Sequence, residues 1–255
     1  MSRARNAPRS PSPIGSLALD GGFFDDYPVF FETSRTSAAP WRLNLRYEAI
    51  FAANRDVLAG ARVLDIASHD GRWSLAALRT GASHVVGVEA RPELVEHARR
   101  NLGRYGVDDA AYRFVAGDVF DVLARDRIEA DVVLCLGFLY HTLRWNELFA
   151  RMRATGAGTI LVDTEVHQPD TGPVAHLRTE PVDRESAAVA DEVSYGDRVL
   201  VGRPTRTALA LLGRAYGYRL TAEADWLGLL RDNPAATGVR GYRTGRRVTV
   251  RFDAR

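Results

Sequence analysis

The chain has 255 residues, of which 46% are hydrophobic and 26% charged, and this is typical of a soluble globular protein with one α/β domain. All 34 basic residues are arginine and 32 acidic residues nearly balance them, so the net charge of +2 argues against a nucleic-acid partner. We expect neither a membrane span nor a secretory signal, and the single cysteine, Cys135, excludes an intrachain disulfide and favours a cytoplasmic protein.

The N-terminal part of the chain differs in character from the rest. Residues 1–20 are rich in Pro, Ser, Arg and Gly without periodicity and are predicted to be a disordered tail. Residues 21–58 are predicted to form a helical cap, because they are dense in aromatic residues and because apolar residues recur at helical spacing from Leu43 to Leu58. The aromatic residues cover either a ligand pocket or only the core, and the sequence favours neither interpretation.

From residue 59 onward, apolar strands alternate with amphipathic helices. The predicted strands are 61–66, 84–88, 112–115, 130–136 and 158–162, and the predicted helices are 72–80, 92–104, 119–125 and 144–153. This alternation is typical of a parallel sheet with helices on both faces. The whole region, 59–255, is predicted to be one domain.

The alternation stops after Asp163. Residues 164–203 are polar and too long for an ordinary connection, so we predict a lid-like insertion that selects a substrate, with His167, His176, Arg178 and Tyr195 as its polar contacts. A helix then opens on Pro204 and Thr205, and strands follow at 218–222 and 246–252. The last of these strands alternates in polarity, which predicts a half-exposed antiparallel strand.

One loop, in the stretch VLDIASHDGRW (63–73), has the position of a cofactor loop. A strand ending near Asp65 leads through the loop to Gly71 and a helix, whose N-terminal amides favour an electronegative group. Ala67 and His69 stand where a dinucleotide-binding loop has glycines, so a pyrophosphate is not expected to approach this backbone. Histidine tolerates positive φ better than most residues, so the loop itself remains plausible for another ligand.

Acidic residues end three successive strand steps: Asp65, Glu89 and Asp118. A carboxylate at the position of Glu89 is suited to accept both hydroxyls of a ribose. Asp118, in VAGDVFD, is suited to an exocyclic amine. Together the three acids indicate a nucleoside that carries positive rather than negative charge.

The segments VLDIASHDGRW, VVGVEA, VAGDVFD and ADVVLCLGFLYH, in this order, resemble the class I S-adenosylmethionine-dependent methyltransferases over about residues 60–165. The resemblance implies a doubly wound, mostly parallel seven-stranded sheet of the Rossmann-like type, with helices on both faces and S-adenosyl-L-methionine as cofactor. Asp65 and the loop through Gly71 would hold its methionine end, Glu89 its ribose and Asp118 its adenine amine. The cofactor-binding residues predicted in this way are Asp65, Ala67, Ser68, His69, Gly71, Trp73, Glu89, Ala90, Asp118, Val119 and Leu136.

The implied reaction is methyl transfer to the hydroxyl or amine of a small molecule, with release of S-adenosylhomocysteine. His141, at the end of the fourth strand, is the best candidate for a general base, and Tyr140 is suited to orient the acceptor. Alternatively, His141 caps the next helix or packs on Trp145. DTEVH (163–167) has a spacing suited to a divalent ion, although we predict no metal.

Three other functions remain open at this stage. The first is RNA modification of the tRNA wobble-uridine type, which the balanced charge disfavours. The second is other chemistry of the sulfonium cofactor, such as cyclisation, and the third is cofactor binding without catalysis. The sequence leaves the oligomeric state open, a homodimer included.

Overall fold

A computed structural model describes residues 22–32, 39–182 and 188–255. Its strands are β1 (Arg62–Ile66), β2 (His84–Glu89), β3 (Tyr112–Ala116), β4 (Val132–Leu136), β5 (Thr159–Glu165), β6 (Ala175–Pro181), β7 (Arg198–Pro204), β8 (Tyr218–Glu223) and β9 (Arg247–Ala254). Its α-helices are α1 (Val29–Glu32), α2 (Pro40–Ile50), α3 (Arg55–Leu58), α4 (Arg72–Thr80), α5 (Pro92–Arg104), α6 (Val119–Arg125), α7 (Trp145–Ala154), α8 (Arg206–Ala215), α9 (Trp226–Asp232) and α10 (Arg240–Arg243). The tail predicted at residues 1–20 lies outside the described residues.

Seven strands form one mixed sheet in the order β3-β2-β1-β4-β5-β9-β8. The first five are parallel, whereas β9 runs antiparallel to both of its neighbours. Helices cover both faces, which is why β4 is buried along its whole length and reads as a continuous apolar run. The predicted doubly wound fold is confirmed, and so is the antiparallel last strand.

Helices α4, α5 and α6 have the bounds that the apolar spacing predicts, and α7 is shifted by one residue. Local capping explains several of the starts. Asp118 accepts hydrogen bonds from the amides of Phe120 and Asp121 at the start of α6, and Thr205 accepts one from Ala208 at the start of α8. Pro92 occupies the first turn of α5, where a missing amide costs nothing.

Two predictions about secondary structure were wrong, and one pair of strands was not predicted. The single helix expected from Leu43 to Leu58 is broken into α2, a 3-10 turn at Ala52–Asn54 and α3. Strand β9 is buried rather than half-exposed, because it lies between β5 and β8 with both faces covered. The insertion contains an antiparallel hairpin of β6 and β7, which its aperiodic sequence did not indicate.

The aromatic residues of the N-terminal segment pack against one face of the sheet. Phe24 contacts Phe30, Tyr47 and Trp73 edge to face, with ring centroids 5.6–6.5 Å apart. Phe23 stacks on Tyr47 at 3.9 Å. These rings belong to the buried cluster that also contains residues of α4 and α5, so they form part of the core. None of the helices in the described ranges is long and apolar enough to cross a membrane.

Candidate active site

A cavity of about 260 Å³ lies at the carboxyl ends of β1, β2 and β4. The connections from β1 and β4 leave on opposite sides of the sheet order at this point, and ligands of open α/β sheets bind at such a switch. Eight of the eleven predicted cofactor-binding residues line it: Ala67, His69, Trp73, Glu89, Ala90, Asp118, Val119 and Leu136. Both predicted catalytic residues, Tyr140 and His141, line the same cavity.

Two residues of the loop after β1, Ala67 and His69, have the left-handed backbone conformation that glycine usually adopts. Ala67 and His69 have φ of 54° and 52°, and Gly71 has φ of 80°. A Cβ atom at Gly71 would lie 2.9 Å from Leu102 Cδ1, so this position needs glycine for close packing as well as for its φ. His69 is further fixed by its amide, which donates to Glu89 Oε2 at 3.0 Å. Ala67 and His69 therefore add side chains to the loop, but residues 67, 69 and 71 all keep a left-handed conformation.

Because Ala67 is held in a left-handed conformation, Ala67→Gly is expected to stabilise the protein. Left-handed φ costs an L-residue roughly 1–2 kcal/mol, and the greater freedom of glycine in the unfolded chain offsets part of the gain. We expect a net gain of about 1 kcal/mol, seen as a rise of about 2–4 °C in the Tm. Ala124→Gly, at an exposed helical position of α6, is the control and should lower the Tm. A loss of stability in both variants would contradict the strain at Ala67.

Two of the predicted carboxylates, Glu89 and Asp118, line the cavity. Glu89 is 4% exposed, and its Oε1 and Oε2 accept one backbone hydrogen bond each, from Arg91 and His69. Each of these oxygens retains a second lone pair. Asp118 uses Oδ1 to cap α6, and its Oδ2 has no hydrogen bond within the described ranges. Burial raises the pKa of Asp118, with the capping amides opposing the effect.

Three predicted cofactor residues, Asp65, Ser68 and Gly71, lie behind the cavity wall rather than on it. Asp65 is fully buried, accepts a hydrogen bond from Ser74 Oγ at 2.7 Å, and its Oδ1 has no partner in the described structure. Burial raises the pKa of Asp65 to about 7, and the bond from Ser74 opposes the rise. In this structure the three residues therefore support the loop and do not line the cavity.

His141 forms a short contact with an acid that comes from the insertion. Its Nδ1 lies 2.6 Å from Glu180 Oε2, and Glu180 is on β6. Burial disfavours the ionised carboxyl, but the bond to His141 and the nearby Arg178 outweigh this and lower the pKa of Glu180. A carboxylate at Nδ1 places the ring proton there and leaves Nε2 as an acceptor, since Nε2 has no hydrogen bond among residues the structure describes. The arrangement is that of a general base with an orienting acid.

A buried cluster around Asp163 borders the same cavity. Its carboxylate accepts hydrogen bonds from Arg46 (3.1 Å), from Arg247 Nε (2.7 Å), and from Tyr242 and Thr249. Burial alone would favour the protonated form, but Arg247 and Arg46 hold the pKa of Asp163 well below its usual range. Arg247 also donates to the Tyr140 hydroxyl at 3.3 Å and so positions it.

The metal interpretation of DTEVH fails for a physical reason. Asp163 is taken up by arginine, tyrosine and threonine donors, and Glu165 pairs with Arg203. Within the ranges that the structure describes, no three His, Cys, Asp or Glu side chains are grouped to hold a metal ion. Cys135 is a buried core residue, and burial raises the pKa of its thiol to about 12.

The insertion contributes to the cavity through residues that the sequence did not single out. Ala188, Val189, Asp191 and Val199 line the wall, whereas none of the four polar residues predicted for this role does so. His167 and His176 stack on each other, Arg178 pairs with Glu180, and Tyr195 is 93% exposed. Arg144 ties the segment to the domain through Asp191 at 3.5 Å.

Five of the other cavity residues missed from the sequence are arginines: Arg42, Arg46, Arg72, Arg91 and Arg247. Arg72 is bonded to the buried Asp70 (2.7 Å) and to His69 (2.9 Å). Arg42 and Arg46 reach the cavity from α2, whereas the predicted aromatic cap residues Phe23, Phe24, Tyr27, Phe30, Phe31, Trp41 and Tyr47 do not line it. The N-terminal segment therefore contacts the site through charge rather than through its rings.

Comparison with known proteins agrees with this geometry. A family model described as a methyltransferase domain matches residues 63–155. The chain is 36% identical over 77 residues to the ribosomal protein L11 methyltransferase of Alteromonas mediterranea, which is 30% of this chain and 24% of that protein. It is 34% identical over 103 residues to the arginine N(omega)-methyltransferase of Streptomyces achromogenes subsp. streptozoticus, covering 38% of this chain and 27% of that protein.

The matched part thus spans about a quarter of the length of these two curated relatives. Among solved structures, an S-adenosylmethionine-dependent methyltransferase from Mesorhizobium loti superposes with a TM-score of 0.56 at 16% identity. The match covers 83% of this chain and 99% of that one. Such a likeness shows a shared fold.

Proposed function

A methyltransferase family model matches residues 63–155, and on that premise we propose that the chain is a class I S-adenosylmethionine-dependent methyltransferase that transfers a methyl group to a small hydroxyl- or amine-bearing acceptor. One observation carries the proposal. Glu89 and Asp118, suited to a nucleoside, line the same cavity as the His141–Glu180 pair, suited to removing a proton. A binding protein without turnover has no use for that pair.

The residues present fit S-adenosyl-L-methionine. Among the described residues, each Glu89 oxygen accepts one hydrogen bond and so can accept a ribose hydroxyl as well, and Asp118 Oδ2 is available to an exocyclic amine. Val88, Val119, Leu136 and Phe138 supply apolar walls for a flat ring. The bound cofactor supplies a methyl group already activated on sulfur. The chain's own task is therefore to align the acceptor and to take up its proton.

We assign the proton step to His141. Its Nε2 takes the acceptor proton while the Nδ1–H group donates a hydrogen bond to Glu180. This hydrogen bond holds the ring in one tautomer and one orientation. Tyr140, held by Arg247, is placed to orient the acceptor oxygen or nitrogen. The acceptor leaves methylated and S-adenosylhomocysteine is released.

Removal of the ribose-binding carboxylate tests the cofactor half of the proposal. Glu89→Ala is expected to weaken binding of S-adenosylhomocysteine by roughly 10- to 100-fold, since a charge-assisted hydrogen bond contributes about 1.5–3 kcal/mol. Calorimetric titration of the purified chain measures it, with NAD as a ligand that should not bind. Glu93→Ala, an exposed acid in the first turn of α5, is the control and should bind normally. Equal affinity in both variants would remove Glu89 from the cofactor site.

A further inference from the structure

A second cavity, of about 360 Å³, adjoins the first near the end of β5. The two cavities share Arg42 and Arg247 on their walls. Five arginines line the second cavity: Arg42, Arg203, Arg240, Arg246 and Arg247. Among the described residues that line it, Glu165 is the only acid, so this lining has a large excess of positive charge.

Internal pairing leaves much of this charge uncompensated. Glu165 pairs with Arg203, and Arg247 pairs with Asp163. Throughout the described residues, Arg42, Arg240 and Arg246 have no carboxylate within ion-pair distance. The Nε atom of Arg42 is buried without a hydrogen-bond partner. Burial lowers the pKa of Arg42, and the neighbouring charges of Arg247 and Arg46 lower it further, so an anion beside these groups would favour the charged guanidinium.

We propose that the second cavity binds the anionic end of the acceptor, a carboxylate or phosphoryl group, while the atom to be methylated lies beside His141. Only the position of the methylated atom beside His141 rests on the proposed function; the anion site does not. Guanidinium groups present paired N–H donors that match the oxygens of carboxylates and phosphates. Because Arg42 and Arg247 border both cavities, one elongated molecule extends from the anion site to the base.

A small anion fits the observations better than RNA. The excess charge is confined to a cavity between β5, β7 and α10, and the chain as a whole carries a formal charge of only +2. Proteins that bind an RNA backbone spread their basic residues along a face, which raises the net charge of the domain. The acceptor class is therefore a small hydroxy or amino compound that bears an oxyanion.

The experiment titrates the full chain with inorganic phosphate by calorimetry, with acetate as a second arm that separates a carboxylate from a phosphoryl preference. The test variant is Arg240→Ala combined with Arg246→Ala, since both arginines are exposed and neither lines the cofactor cavity. We expect its affinity for the preferred anion to fall at least tenfold. Arg243→Ala, an exposed arginine of α10 that does not line the cavity, is the matched control and should bind like the parent.

Titration with S-adenosylhomocysteine on the same samples separates the two claims. Anion binding that depends on Arg240 and Arg246 in a chain that does not bind this nucleoside would leave the anion site standing and overturn the proposed function. Normal nucleoside binding with the same anion affinity in all variants would overturn the anion site alone. The inference is also overturned if a single-stranded oligonucleotide binds more tightly than phosphate, with affinity that falls steeply with salt and with loss of Arg240 and Arg246.

Discussion

His141→Ala is expected to lower kcat by about 10²- to 10⁴-fold for a hydroxyl acceptor, because general base catalysis contributes about that much. The binding of S-adenosylhomocysteine should not change, since the proposed mechanism assigns His141 to the acceptor and not to the cofactor. Transfer of a labelled methyl group to pooled hydroxyl and amine metabolites, followed by mass spectrometry, first identifies an accepted substrate, and kinetics on that substrate then measure the loss. Added imidazole should restore part of the activity of the alanine variant, which a merely structural role would not permit.

In the proposed mechanism Glu180 acts through His141 and is a positioning residue. Glu180→Gln removes the charge that orients the ring, and a loss of about 10- to 100-fold in kcat with little change in KM is expected by analogy with residues that orient a catalytic group. Glu192→Gln is the control, because Glu192 lies in the same insertion, is largely exposed and pairs with Arg144. Unchanged turnover in His141→Ala would assign His141 and Glu180 to packing instead, and the proposed base would have to be abandoned.

The parts of this fold that the sequence predicts are those that depend on the local spacing of apolar residues. Strands β1, β2 and β4 are apolar runs that end at acids or turn residues, and helices α4 to α6 repeat apolar residues at helical spacing. Glu89 and Asp118 could be predicted in a similar way, because Glu89 ends β2 and Asp118 follows β3 after one intervening residue. Even the departures in the loop were interpretable, since Ala67 and His69 keep the φ that the missing glycines would have had.

The parts that the sequence does not predict depend on distant pairing. Arg247 reaches Asp163 only because β9 returns antiparallel to β5, in a register that pairs Arg247 with Glu165. No local pattern specifies that register. Glu180 lies in an aperiodic stretch, and its partner His141 is 39 positions away in the chain. The sequence did contain a signal for Arg42 and Arg46, because residues four positions apart lie on the same face of a helix.

The second large effect concerns stability, and it follows from the same long-range contacts. Asp163→Ala leaves Arg46 and Arg247 buried without their carboxylate, and loss of one partner from a buried ion pair costs about 3–5 kcal/mol. For a chain of 255 residues this predicts a fall in the Tm of roughly 6 to 20 °C. Thermal unfolding measures it. Glu96→Ala, which breaks the exposed pair between Glu96 and Arg99 on α5, is the control and should cost less than about 1 kcal/mol.

The stability lost in Asp163→Ala should depend on pH and become smaller in acid. Because the pKa of Asp163 is lower in the folded state than in the unfolded chain, its carboxylate stabilises the fold at neutral pH, and this stabilisation declines as pH falls below about 4. The free-energy difference between the parent and Asp163→Ala should therefore shrink on acidification. A double-mutant cycle with Arg46→Met measures the interaction between the two side chains. Removing Arg46 should cost less stability when Asp163 is already absent. Strict additivity, or a difference that grows in acid, would mean that packing rather than charge holds this corner of the active site.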